Sequence, residues 1–431
     1  MKLFGAMEVK ENNLFIGGVR AEELVKEHGS PLFVMDEALL EKNCSDYYAH
    51  FKCKENNNRV AYAGKAFLTM AMCKLIEKQG LCLDVVSGGE LYTAYKAGYP
   101  LDKVYFHGNN KTLEEIELGV KLGVGRFIVD NLYELENVNR IAKNHGVTQK
   151  IYLRLTPGIE AHTHDYIKTG QIDSKFGFTP VNDGIMKAVK AALALESVDL
   201  CGIHCHIGSQ IFDLEPYEDA AEIMLNYIKD IKAETGHLIT ELDLGGGFGV
   251  HYTDEDHPRA TSEYCEVILN KVDEVCNILA LERPILTIEP GRSIAANAGT
   301  TLYKVGSIKE IEGIRTYLAV DGGMTDNIRT ALYSAAYEAC IANKIDSEDR
   351  QVYTIAGKCC ESGDILIKDI ELPKAVSGDV LAMGTTGAYG FSMSSNYNRN
   401  AIPSVVFVKN EESRVVYRRQ SYDDLIANES M

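Results

Sequence analysis

The chain has 431 residues, 45% of them hydrophobic and 25% charged, which is enough to bury a large core in two domains and excludes the disordered and fibrous classes. Its 62 acidic against 44 basic residues give a formal net charge of -18, which repels phosphate backbones. No local basic patch offsets that charge, so no nucleic acid is expected as a partner and a small molecule is. Met1-Lys2-Leu3-Phe4-Gly5 lacks a basic segment leading into an apolar run, and no stretch approaches the roughly 18 apolar residues of a membrane helix, so a soluble, cytoplasmic protein with no membrane contact is expected. The 11 cysteines show no repeated spacing and read as reduced cytosolic thiols.

In chain order, residues 59 to 297 alternate short β-branched runs with amphipathic helical stretches. Strands are expected near Arg59–Ala63, Cys82–Val86, Val104–His107, Arg126–Val129, Lys150–Leu155, Leu200–His206, Glu241–Leu244 and Ile285–Ile288. Helices are expected to begin near Phe67, Gly89, Thr112, Leu132, Val181, Leu214 and Thr261, with a last one after Arg292. Eight strand–helix units in about 240 residues match a closed (β/α)8 barrel of the TIM type, with its site at the C-terminal strand ends. From about Leu302 the pattern changes to short strands separated by Gly, Pro and Asp turns. The barrel is therefore expected over 31–298, and a mostly β domain over 1–30 plus 299–431, the first 30 residues reading as short strands.

Polar residues cluster where such a barrel needs them. Lys65, after the first strand in Ala61-Tyr62-Ala63-Gly64-Lys65-Ala66-Phe67, lies in an apolar setting where a desolvated amine can form a Schiff base. His204-Cys205-His206-Ile207-Gly208-Ser209 follows the sixth strand, with both histidines on one face by alternation. Neither that pair nor His162-Thr163-His164 finds a third metal ligand at a convincing spacing, so no metal is expected. The other reading has one histidine against a flat cofactor while Ser209 and its amides hold an anion. Gly245-Gly246-Gly247 ends the seventh strand, where bare backbone can approach a phosphate. Glu289-Pro290-Gly291-Arg292 ends the eighth, with Pro290 and Gly291 shaping a helix entry and Glu289 needing a cationic partner such as a protonated pyridine nitrogen. An imine-forming lysine, a phosphate cradle and a carboxylate for a ring nitrogen together describe a pyridoxal 5′-phosphate site.

The stretches YAGKAF, HCHIGSQ, LDLGGGFG, EPGRS, CCESGD and GAYG, in this order, resemble the barrel-type pyridoxal-phosphate decarboxylases of the alanine racemase-like fold. That group includes ornithine, arginine and diaminopimelate decarboxylases. Residues 162–178 and 390–398 are similar to the diaminopimelate branch in particular, and the likeness runs from about residue 30 to 425. The resemblance implies that Lys65 holds the cofactor, that His206 stacks on its ring and that Glu289 pairs with the ring nitrogen. Ser209, Gly247 and the Gly291-Arg292 backbone would bind the phosphate, and Tyr389 would touch cofactor and substrate. Cys360 would be the proton donor, supplied by a partner subunit, so that a homodimer shares its active sites. The implied reaction removes CO2 from meso-2,6-diaminopimelate to leave L-lysine. Glu361 would read the substrate's distal amine, and Arg292, Arg329 and Tyr333 would clamp its distal carboxylate. Arg329 and Tyr333 share a face if their segment is helical. Cys359 is expected to be a packing residue.

The chain also departs from the family. Phe67 stands where most members have asparagine, Lys358-Cys359 replaces a Pro-containing approach to the cysteine, and the tail after Tyr397-Asn398-Arg399-Asn400 is shortened. These leave open a relative acting on ornithine, lysine or arginine, in the L or D form. A racemase on the same barrel is disfavoured by the long β domain with its Cys360-Glu361 pair, and a non-catalytic regulator by the presence of both Lys65 and Cys360.

Overall fold

In the computed structural model, which describes residues 1–156, 158 and 173–431, the eight expected strands are present as Arg59–Ala63, Cys82–Val85, Val104–Phe106, Arg126–Val129, Gln149–Arg154, Val198–His204, Glu241–Asp243 and Ile285–Ile288. They pair in parallel in sequence order, and the eighth returns to the first through Thr287↔Arg59 and Ile288↔Val60, closing the barrel. Four of the helices start where short polar side chains cap them. Thr69 accepts from the Met72 amide, Ser87 from Glu90, Thr112 from Glu115 and Asn131 from Glu134. The helix expected from Phe67 begins at Met70 instead, because Gly64–Ala66 first makes a 3-10 turn and Phe67 is extended. The one expected after Arg292 is a single turn, Arg292–Ala295.

Inward side chains fill the barrel in layers, as the two-residue period of a strand requires. The middle holds Ala61, Cys82, Tyr105, Ile128, Tyr152 and Cys201, with the Tyr105 and Tyr152 rings edge to face at 5.8 Å. Gly202 is glycine because a Cβ there would lie 2.4 Å from the Tyr152 ring. At the N-terminal end, Glu241 accepts from Arg59 at 2.8 and 3.1 Å and from Arg126 at 2.6 and 2.8 Å, and the Tyr152 hydroxyl also donates to it. One carboxylate thus anchors strands one, four, five and seven.

The chain separates into two compact units, one of residues 44–249 and 258–291 that contains the barrel, and one of 1–43, 250–257 and 292–431. Residues 31–43, grouped with the barrel in the sequence reading, cluster with the second unit because Leu32–Asp36 is a strand of its sheet, antiparallel to Gly299–Ile311 and parallel to Ser404–Lys409. That sheet has nine strands. One of its faces is buried by Leu32, Val34, Leu302, Val406 and Val408 with Leu14, Ile16, Leu24 and Val25, each contributing about 1.5–3 kcal/mol. The first 30 residues form a three-stranded sheet and also a helix, Ala21–His28, which a reading as strands alone missed. No helix among the described residues is long and apolar enough to cross a membrane.

Glu241 yields a prediction. Burial would raise its pKa, but hydrogen bonds from Arg126 and Arg59 dominate and lower it from 4.5 to about 2. Because the folded pKa is depressed, its stabilisation is present above pH 4.5 and is lost as pH falls toward 2. Glu241→Gln, which leaves two largely buried guanidiniums without a counter-charge, is expected to cost about 3–5 kcal/mol at neutral pH in chemical denaturation, with the difference from the parent shrinking through that acid window.

Candidate active site

The alternation that fills the barrel also loads its C-terminal mouth. Two residues beyond Cys82, Tyr105, Tyr152, Gly202, Glu241 and Thr287 stand Asp84, His107, Arg154, His204, Asp243 and Glu289, every one of them buried. Glu289 is the centre of this group. Its Oε1 lies 2.7 Å from His107 Nε2 and its Oε2 3.3 Å from His204 Nε2, and the two imidazoles meet edge to face at 4.9 Å.

Electrostatics divides the roles. Burial would raise Glu289, but His107 and His204 hold it well below the usual carboxylate range. Burial, reinforced by the Glu289 charge, pushes Asp243 well above that range, and burial raises Asp84 against the pull of His107. The burial and the mutual repulsion thus favour the charge on Glu289 and the neutral form on Asp243. Burial lowers His204 to about 4, so at neutral pH it is an uncharged donor to Glu289. His107, His204 and Glu289 lie close enough to hold a metal ion, and His204 Nε2 is already hydrogen-bonded to the carboxylate at 3.3 Å.

Lys65 has the expected flank of buried Gly64, Ala66 and Phe67, but its own side chain is exposed, because the 3-10 turn carries it out of the strand. Its charge reaches Asp84, Glu90 and His206. Phe67 is 1% exposed and its carbonyl accepts from the Tyr62 hydroxyl at 2.8 Å, so this departure from the family is a core residue. His206 is half-buried, its Nδ1 accepts from the Gly246 amide at 3.2 Å, and burial together with Lys65 and Arg154 keeps the ring neutral.

Glycines allow three loops to close on one another here. A Cβ on Gly245 would sit 2.6 Å from the Cys205 carbonyl, one on Gly246 2.1 Å from the Glu289 carbonyl, and one on Gly247 2.5 Å from the Gly208 carbonyl. Gly245 and Gly247 also hold φ of +69° and +101°. The loop bearing Ser209, the glycine run and Pro290-Gly291 are thereby pressed together at the strand ends. The turn after Gly291 is too short for a macrodipole of consequence, so any anion binding there rests on individual amides.

The second unit contains a cluster of arginines and tyrosines. The buried Tyr252 hydroxyl accepts from Arg292 Nη1 at 2.6 Å and from Arg329 Nη1 at 2.9 Å. Arg329 also donates to the Tyr337 hydroxyl at 2.7 Å. Arg292 lies 4.9 Å from the Tyr389 ring centre. Arg329 and Tyr333 share the short helix Arg329–Tyr333, and the guanidinium is 6.0 Å from that ring. Tyr252 and Tyr337 were not singled out from sequence.

In the cysteine loop Cys360 is exposed and Cys359 buried. Asp364 accepts from the amides of Cys359 at 2.8 Å and Met324 at 2.6 Å. Burial, with Asp364 next, pushes the Cys359 thiol up to about 11, which suits a packing residue. The Cys360 amide donates to Asn398 Oδ1 at 2.8 Å, so the 390–398 stretch has a visible task in holding this loop. Glu361 is exposed and takes the Gly363 amide at 3.2 Å. His162, His164 and residues 164–172 of the loop around 164–175 lie outside the described residues.

Residues 37–296 match the model of the pyridoxal-dependent decarboxylases, pyridoxal binding domain. The chain is 48% identical to the diaminopimelate decarboxylase of Bacillus subtilis over 97% of its length and 95% of that relative. It is 49% identical to the one of Bacillus methanolicus over 97% and 98%. The chain belongs to the diaminopimelate decarboxylase family. The solved structure of the M. jannaschii family member in co-complex with L-lysine aligns at a TM-score of 0.93 with 37% identity, covering 99% of this chain and 98% of that one. Family membership makes pyridoxal 5′-phosphate the cofactor, and the mouth of the barrel fits it. Asp84 Oδ1, His107 Nε2, His204 Nδ1, Asp243 Oδ2 and Glu289 Oε1 are buried polar atoms without a hydrogen-bond partner, and the ionised Glu289 suits a cationic ring nitrogen. The glycines leave these loops with bare backbone amides of the kind a phosphate needs, and Lys65 is exposed.

Proposed function

We propose that this chain removes CO2 from meso-2,6-diaminopimelate to give L-lysine, the last step of lysine biosynthesis, with each residue named below in its stated role. The observation that carries the substrate reading is Arg329. It is 8% exposed, makes no ion pair among the described residues and is held by phenol groups alone. Phenols keep the guanidinium charged in spite of its burial. Such a group is a receptor for a carboxylate that arrives with the substrate. Ornithine, lysine and arginine have no second carboxylate, so the pair Arg329 and Arg292, with Tyr333 beside it, favours diaminopimelate over them. Glu361 supplies the opposite charge for the distal amine.

When bound, the cofactor supplies an electron sink for the pair left on the α-carbon as the carboxylate departs. The chain's own residues provide the rest. Lys65 is the amine that would hold the cofactor, and Glu289 keeps its charge where a ring nitrogen needs a counter-ion. His206, neutral and oriented by Gly246, offers a flat face to the ring. Ser209 and the amides of Gly245, Gly246, Gly247, Gly291 and Arg292 would take the phosphate, with Pro290 fixing the approach, and Tyr389 would contact cofactor and substrate. Cys360 gives its proton to the carbon that lost CO2 and is reprotonated from solvent. Its exposure supports supply from a second copy of the chain, giving a homodimer with shared sites that acts on a small-molecule substrate in the cytoplasm.

Two outcomes are expected. In a CO2-release assay, meso-diaminopimelate should turn over at least about 100-fold more efficiently than ornithine, arginine or D-lysine, and Arg329→Gln should raise KM for diaminopimelate about tenfold or more with a smaller effect on kcat. Equal turnover of ornithine would contradict the substrate reading. Separately, inactive Lys65→Ala and Cys360→Ala proteins should recover about a quarter of the parent activity after subunit exchange, since half the dimers are mixed and each has one intact site. Mixed dimers with no activity would show that each chain uses its own cysteine.

A further inference from the structure

We propose that His251, Asp254 and Glu338, in the second unit, bind a divalent transition-metal ion of the zinc class. Their candidate ligand atoms lie within 4.8 Å of one another. An acidic pair on a surface would carry no such weight, but the histidine does. His251 is 5% exposed, and its Nε2 is buried with no hydrogen-bond partner. A buried imidazole nitrogen left unpaired costs about 1–3 kcal/mol unless something occupies it. Its other nitrogen, Nδ1, faces the Asp256 carbonyl at 3.5 Å. A metal-binding histidine characteristically gives its second N–H to a backbone carbonyl in this way, which fixes the tautomer and leaves the free lone pair on the ligating nitrogen.

The surroundings fix the ligands in place. The Asn297 side chain donates to the His251 carbonyl at 2.9 Å and to Thr385 Oγ1 at 3.0 Å, and the Phe4 ring lies 5.7 Å from the imidazole. Glu338 Oε2 accepts from the Lys2 amide at 2.8 Å and lies 3.8 Å from the Met1 ammonium, leaving Oε1 for an ion. Asp254 is exposed and provides the entry side. One imidazole nitrogen with two carboxylate oxygens suits zinc, and three protein ligands leave a fourth position for water. The adjacent residue, Tyr252, accepts from both Arg292 and Arg329, so an ion here would brace the short segment whose tyrosine holds the two arginines.

The test is calorimetric titration of chelator-treated holoenzyme with zinc chloride alone, on the parent, His251→Asn and Asp254→Asn, with circular dichroism to verify folding. Asp254 is exposed, so its variant folds whatever the fate of His251. We expect one ion per parent chain and an affinity about tenfold or more weaker in both variants. Parent protein that binds no zinc would overturn the proposal. So would unchanged binding in both variants, which would put the ion on the thiols or on His107, His204 and Glu289.

Discussion

The barrel depends on burying one negative charge at its mouth. Glu289 is out of water, and a carboxylate there is offset by a hydrogen bond with His204 Nε2 at 3.3 Å and by the His107 imidazole, whose Nε2 lies 2.7 Å from Oε1. Keeping the charge on Glu289 pushes the neighbouring Asp243 carboxyl up toward its neutral form, as two adjacent buried carboxylates cannot both ionise at low cost. The result is a fixed anion inside a desolvated mouth, where its attraction for a ring cation is many times what water would allow. The glycine run is tied to the same group, since the Glu289 amide donates to the Gly245 carbonyl at 2.8 Å and Gly246 lies against the Glu289 carbonyl.

The two ends of the barrel use charge differently. At the N-terminal end Glu241 is saturated by Arg59, Arg126 and a tyrosine, which joins four strands and leaves nothing over for chemistry. Two residues further along the same strand Asp243 has an oxygen with no partner. A single β period thus separates a structural carboxylate from one poised for a ligand. The second unit follows a related rule: Arg329 is buried among phenols, which satisfy donors without cancelling charge.

Much of this was legible in the sequence. The barrel strands were readable to within about two residues because β-branched runs and amphipathic helices alternate strictly, and four of the six motifs, YAGKAF, HCHIGSQ, LDLGGGFG and EPGRS, lie at the ends of barrel strands. Asp84, His107, Arg154 and Asp243 escaped notice although the signal existed, each standing two positions after an inward residue of its strand. Tyr252 left no such trace, since its bond to Arg329 spans 77 positions. The exposure of Lys65 was misread because an apolar flank says nothing of the 3-10 turn that lifts the side chain away. The helix Ala21–His28 was missed since its buried face is only Ala21, Leu24 and Val25, too short a period to stand out among short strands.

The most direct test of the central role of Glu289 is turnover by Glu289→Gln holoenzyme. The amide keeps the shape and removes the charge, so cofactor absorbance should show Lys65 still linked while kcat for CO2 release falls about 100- to 1,000-fold. Turnover within about twofold of the parent, with cofactor bound, would show that the buried charge is not what drives the reaction.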